Sequence, residues 1–145
     1  MKISEVRVKL VNNKDDRLKA FCSITLDNAF VVRDIKIIEG SGGYFVAMPS
    51  RKMTDHCEHC SAKNHMRAKY CNACGSKLGK NRAQKNEKGR TKLYADIAHP
   101  INATCRKDIQ ASVTEAFLHE TERSKMPGYV PVELDEADDD IPFIL

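Results

Sequence analysis

The stretch LKAFCSITLDNAFVVRDIKII, residues 18–38, decides the fold. In its first half Leu18, Ala20, Cys22, Ile24 and Leu26 fall on one face, the period of a half-buried strand spanning 18–27. After Asp27-Asn28 the β-branched run FVVRDIKII predicts another. Upstream, KISEVRVKLV at 2–11 puts Val6, Val8 and Leu10 on one side and Glu5, Arg7 and Lys9 on the other. The polar run 12–17 then joins it to 18–27 as an antiparallel hairpin. Downstream, Gly40-Ser41-Gly42-Gly43 forces a turn, and YFVAM at 44–48 supplies a fourth strand that Pro49 ends.

Regular structure resumes at Tyr94, and Pro100 with Asn102 as N-cap forms a helix entrance. Ile109, Val113, Ala116 and Phe117 recur at helical spacing, so a helix over 103–123 is expected to lay that stripe on the sheet. The fold class is α+β: an antiparallel sheet packed with a C-terminal helix. With 145 residues, 41% hydrophobic and 30% charged, the chain has the composition of a soluble globular protein, which excludes wholesale disorder and a membrane class. No apolar run approaches the ~18 residues of a membrane span, and residues 1–10 alternate where a signal peptide would be continuously apolar. A cytoplasmic location is expected.

Between 51 and 93 apolar residues thin out and the chain carries twelve basic against three acidic side chains. This stretch reads as an insert. Cys57-Glu-His-Cys60 and Cys71-Asn-Ala-Cys74 are two CxxC pairs ten residues apart. Each pair brings two thiolates to one metal from a knuckle turn, and together they close a tetrahedron, the arrangement of a structural zinc ribbon with one Zn²⁺ per chain. A reducing compartment argues against two disulfides. His56, His59 and His65 could substitute as ligands, but four cysteines fill the shell and leave no open position for catalysis. Cys22 belongs to the apolar strand face. Cys105 at the helix start has no evident base beside it.

The phrases EVRVKLV, LKAFCSITLDNAFVVRDIKIIEG, YFVAMPSRK and DIAHPINATCRKDIQASV, which lie outside residues 53–93 and 127–145, resemble the stage V sporulation protein G (SpoVG) family. The resemblance implies a small α+β homodimer of a bacterial, nucleoid-associated regulator that binds DNA and RNA. Its basic positions fall on Arg51, Lys52 and Arg106 here. It also implies a short loop where this chain has the cysteine module, so the expected organisation is a discontinuous domain of 1–52 and 94–126, an inserted ribbon and basic linker at 53–93, and a disordered acidic tail at 127–145. Within that tail Asp138, Asp139, Asp140, Ile141, Pro142 and Phe143 resemble the acidic tip of bacterial single-stranded-DNA-binding proteins (SSB), which implies recruitment of a replication or repair protein. Ile144 and Leu145 follow that match.

The function expected from all this is nucleic-acid binding with single-stranded DNA favoured and RNA possible. Lys63, Arg67, Lys69, Lys77, Lys80, Arg82, Lys85, Lys88, Arg90 and Lys92 can neutralise phosphates. Tyr70 and Tyr94 among them can stack an unpaired base or pack inward. The competing expectations are a protein-interaction adaptor and a SpoVG-like regulator of duplex DNA or RNA. An enzyme is not expected, for there is no triad, paired carboxylate set, phosphate loop or open metal site.

Overall fold

The computed structural model describes residues 1–12, 16–80, 82–83, 85 and 87–134. The tail residues Asp138, Asp139, Asp140, Ile141, Pro142 and Phe143 lie outside them. The chain divides into two compact units, one of Met1–Pro49 and the chain from Ala98 onward, the other of Ser50–Ile97.

In the first unit β1 (Ile3–Leu10), β2 (Leu18–Leu26), β3 (Phe30–Gly40) and β4 (Gly43–Ala47) form an antiparallel sheet in chain order. The hairpin between β2 and β3 turns through Asp27 and Asn28, both at φ 52°, with the Ala29 N–H donating to the Leu26 carbonyl at 2.9 Å. Aspartate and asparagine occupy that left-handed region at lower cost than other side-chain-bearing residues. Two bulges separate the β2–β3 ladder from simple alternation. Lys19 is the extra residue between the Leu18–Ile38 and Ala20–Ile37 pairs, and β3 carries its own extra residue between Ile35 and Val32, where Asp34 takes φ 60°.

Helix α1 (Ala103–Ser124) covers the sheet, one residue longer than expected. Its N-cap is Asn102, whose side chain accepts the Cys105 N–H at 2.8 Å. Ile109, Val113 and Phe117 join Val8, Ala20, Cys22, Ile24, Leu26, Ile35 and Ile37 in one buried cluster. Cys22 is therefore core. Each fully buried Ile or Val contributes about 1.5–3 kcal/mol through removal from water, so this unit has a core of its own. Gln110 fastens the helix to the β4 edge by accepting the Val46 N–H at 3.1 Å.

Two expected boundaries move. The short ladder of β5 (Ser50–Lys52) with β8 (Tyr94–Asp96) belongs to the second unit, because it ties the two ends of that unit to each other. The tail does not begin at 127: Tyr129 donates to Glu120 at 2.6 Å, and the Arg123 guanidinium lies 5.0 Å over the Tyr129 ring. Glu120 is buried at 7% exposure and accepts from Arg123 at 3.0 and 2.9 Å.

Those donors, Arg123 first, hold the Glu120 carboxyl below the usual carboxylate range against the opposing effect of burial. A depressed folded-state pKa gives stability that is present above the unfolded value and lost as pH falls through the folded one. Thermal unfolding followed from neutral to acid pH should therefore show wild type losing more stability below the ordinary carboxylate range than Glu120→Gln. Parallel pH profiles for the two proteins would contradict this.

Candidate metal centre and basic face

The second unit repeats one small design twice. In the first knuckle the Cys57 N–H donates to Ala62, the Ser61 N–H returns to the Cys57 carbonyl, and the His59 N–H points at Cys57 Sγ at 3.4 Å. In the second the Cys71 N–H donates to Ser76, the Gly75 N–H returns to the Cys71 carbonyl, and the Ala73 N–H points at Cys71 Sγ at 3.4 Å. Ser61 at φ 63° and Gly75 at φ 74° occupy the same left-handed place after each second cysteine. The CxxC spacing folds this way because the turn delivers both sulfurs and an amide donor to one side.

The four sulfurs of Cys57, Cys60, Cys71 and Cys74 lie within 4.8 Å of one another, with Cys57–Cys74 at 3.8 Å and Cys60–Cys71 at 3.5 Å. Sulfurs each ~2.3 Å from a central ion form a tetrahedron with edges of about 3.8 Å, so the set fits one metal ion. The Cys71 thiol is lowered to about 5 by the Cys74 backbone, the Asn64 amide and the Ala73 backbone, and Cys74 is lowered by Ser76. Donors aimed at those two sulfurs favour the thiolate, whereas Cys60, despite the lowering effect of the Ala62 backbone, is pushed up to about 12 by hydrogen bonds with the neighbouring thiols, Cys71 first. Among the described residues no histidine joins the set: His56 Nδ1 meets the Ser61 carbonyl at 2.9 Å and His65 Nδ1 accepts the Arg67 N–H at 3.0 Å.

Around the cysteines a polar frame replaces a core. Here β6 (Thr54–His56) pairs with β7 (Lys63–His65). Asn64, 2% exposed, donates to the Ala62 carbonyl at 3.1 Å and Cys71 Sγ at 3.5 Å while its oxygen accepts the Asn72 N–H at 2.8 Å. It thus joins β7 to the second knuckle. Replacing Asn64 with Ala should weaken metal binding by about 10- to 100-fold, as removal of partners behind metal ligands does. Competition with a chromophoric chelator measures this, and an unchanged affinity would contradict it.

The expected phosphate contacts separate into two groups. Lys52, Lys63, Lys69, Lys77, Lys80, Lys85 and Lys92, with Arg51 and Arg67, are exposed on the second unit, as are Lys88 and Arg90. Arg106 is exposed on the first unit, in the first turn of α1. Arg82 differs. It ion-pairs with Asp55 and donates to the carbonyls of His65, Met66 and Ala68 at 3.3, 3.3 and 2.8 Å. Its side chain, 15% exposed, is an internal strut whose donors are spent on the backbone, which corrects its expected place among the phosphate contacts. Charge alone did not reveal those carbonyls.

Tyr70 and Tyr94 are 62% and 54% exposed, so packing inward does not describe them. Each stands opposite a lysine: Tyr70 bridges Lys77, and Tyr94 on β8 pairs with Lys52 on β5. These pairings were not legible in advance, since the register of such short ladders leaves no periodicity to read.

Residues 1–119 match the SpoVG family model. Curated relatives carry the name "Putative septation protein SpoVG". That of Bdellovibrio bacteriovorus is 38% identical over 88% of this chain and 93% of its own. That of Lachnoclostridium phytofermentans is 39% identical over 81% of this chain and 86% of its own. That of Macrococcus caseolyticus is 36% identical over 97% and 92%. Among the described residues no helix is long and apolar enough to cross a membrane.

Proposed function

The chain belongs to the SpoVG family, and from that premise we propose that it is a nucleic-acid-binding protein, not an enzyme, whose cysteine-bearing unit holds one structural Zn²⁺ and supplies the principal binding surface. One observation carries the reading: among the described residues nine lysines and arginines, and Lys88 and Arg90 besides, stand exposed on a single compact unit whose four sulfurs fit a tetrahedral ion. Zinc suits four thiolates and, with its shell filled, contributes folding free energy instead of chemistry. A concentrated positive surface gains most from a polyanion, whose condensed counterions it releases.

Matched single-stranded DNA, duplex DNA and single-stranded RNA, titrated at two salt concentrations, test the proposal. Binding that weakens steeply with salt and ranks single strands above duplex is the expected result. No retention of any of the three would overturn it in favour of a protein-interaction adaptor.

The first unit is the proposed dimerisation element, because a scaffold of about 80 residues buries a limited core alone. Sedimentation at micromolar concentration should give twice the chain mass of 16.3 kDa, and a monomer mass would count against it. The charge distribution supports a role for the tail. Residues 132–145 hold six carboxylates and no basic group, so the tail should compete with nucleic acid for the basic unit at low salt. In this reading the segment from Asp138 to Phe143, once displaced, is free to recruit a replication or repair protein.

A further inference from the structure

The two tyrosine–lysine pairs of the second unit share one geometry, and we propose that each is a stacking station for an unpaired nucleobase, with Tyr70 or Tyr94 as the platform and Lys77 or Lys52 meeting the adjoining phosphate. This rests on the nucleic-acid-binding reading with its preference for single strands and adds to it the residues that select them.

Backbone bonds fix how each pair faces. Around Tyr70 and Lys77 the Leu78 N–H donates to the Lys69 carbonyl and the Cys71 N–H to the Ser76 carbonyl, both at 2.8 Å. These bonds flank the two residues instead of joining them. In an antiparallel ladder that defines the non-hydrogen-bonded pair, whose side chains leave the same face at their closest approach. The neighbours Cys71 and Leu78 point inward, at 5% and 9% exposure, which puts Tyr70 and Lys77 on the outer face. Tyr94 and Lys52 repeat the arrangement, for the Met53 N–H donates to the Leu93 carbonyl at 2.8 Å beside them.

A tyrosine kept for packing would be mostly buried, and these two residues are more than half exposed. The ring contacts of the described residues are Tyr44 with Phe117 and Arg123 with Tyr129, both in the first unit, so neither platform is used internally. A base inside a duplex has both faces covered by its neighbours, whereas a single strand can offer a free face of any base to an aromatic ring. The pairing of a π-face with a cation on the same surface therefore selects unpaired nucleic acid with little regard to sequence. Asp96 shares the face of Tyr94, opposite Ser50, so a phosphate backbone would approach that station from the Lys52 side.

Full-length zinc-loaded protein is titrated with oligo(dT), oligo(U) and a duplex of equal length. The Tyr70→Ala/Tyr94→Ala double variant should lose about 10-fold or more in affinity for both single strands and keep wild-type duplex affinity. The corresponding Phe variants should bind as wild type, because stacking does not need the hydroxyl. The sequence has no tryptophan, so Tyr70→Trp gives a background-free reporter whose fluorescence oligo(dT) should quench. The oligo(dT) and oligo(U) arms show which single strand is held more tightly.

Metal content, measured on every variant, shows that the unit is intact. A zinc-loaded double Ala variant with wild-type single-strand affinity overturns the inference while leaving the nucleic-acid reading standing. Equal loss for single strand and duplex does the same. A wild-type chain that binds none of the three ligands overturns the reading itself. If the Ala variants lose zinc, Tyr70→Trp decides: an unquenched indole at saturating oligo(dT) overturns the stacking site.

Discussion

Replacing Cys71 with Ser should unfold residues 50–97 and leave the four-stranded unit folded. The second unit's buried cluster consists of Cys57, Cys71 and Leu78, so two of its three members are themselves candidate ligands. Ordering each residue costs about 1–2 kcal/mol of backbone entropy, and so small a cluster cannot offset that over the unit's length. A structural zinc site supplies about 10–16 kcal/mol at neutral pH and is the term large enough to do so. Cys71 is the most heavily used sulfur, 3.5 Å from Cys60 and receiving both the Asn64 amide and the Ala73 N–H. The first unit keeps its own core, from Val8 on β1 to Phe117 on α1. Amide spectra of the variant should show collapsed dispersion confined to 50–97, together with loss of bound zinc. Full zinc occupancy, or collapse of the whole spectrum, would contradict this.

The second large effect concerns the exposed cations. Changing Lys63, Lys69, Lys80 and Lys92 together to Ala removes four exposed positive charges that are not members of the tyrosine–lysine pairs. For single strands each neutralised phosphate contributes a salt slope of about −0.7, so four contacts amount to about 2.8 decades of affinity at ~0.1 M salt. The variant should therefore bind several hundred-fold more weakly at that salt, with a flatter salt dependence and no change in base preference, because phosphate contacts carry little sequence information. Binding equal to wild type would show that these lysines are not the contact surface. Arg82 has no place in such a variant, since its loss would leave Asp55 and three carbonyls without their donor.

The sheet and helix were legible because alternation along 18–27, the β-branched run at 30–38 and the stripe Ile109, Val113, Phe117 are direct consequences of strand propensity and of burying one face. The bulges at Lys19 and Asp34 were not, for an extra residue changes pairing without changing composition. The cysteine cluster was legible because CxxC spacing is itself metal geometry. Glu120 was missed, since a carboxylate on a polar helix end reads as solvated; Arg123 three residues on and an aromatic just past the helix were the available signs. Arg82 was misread for the related reason that a cation's sequence neighbours do not reveal which carbonyls surround it.

If a metal-held unit carries single-strand binding in this SpoVG family member, affinity for single strands must follow metal occupancy. The affinity of the full chain for oligo(dT) is taken as purified, after chelation with metal loss verified, and after zinc is restored. Strong binding is expected first, then loss of most of that affinity while the four-stranded unit stays folded, then full recovery. Affinity that survives verified metal removal would contradict this.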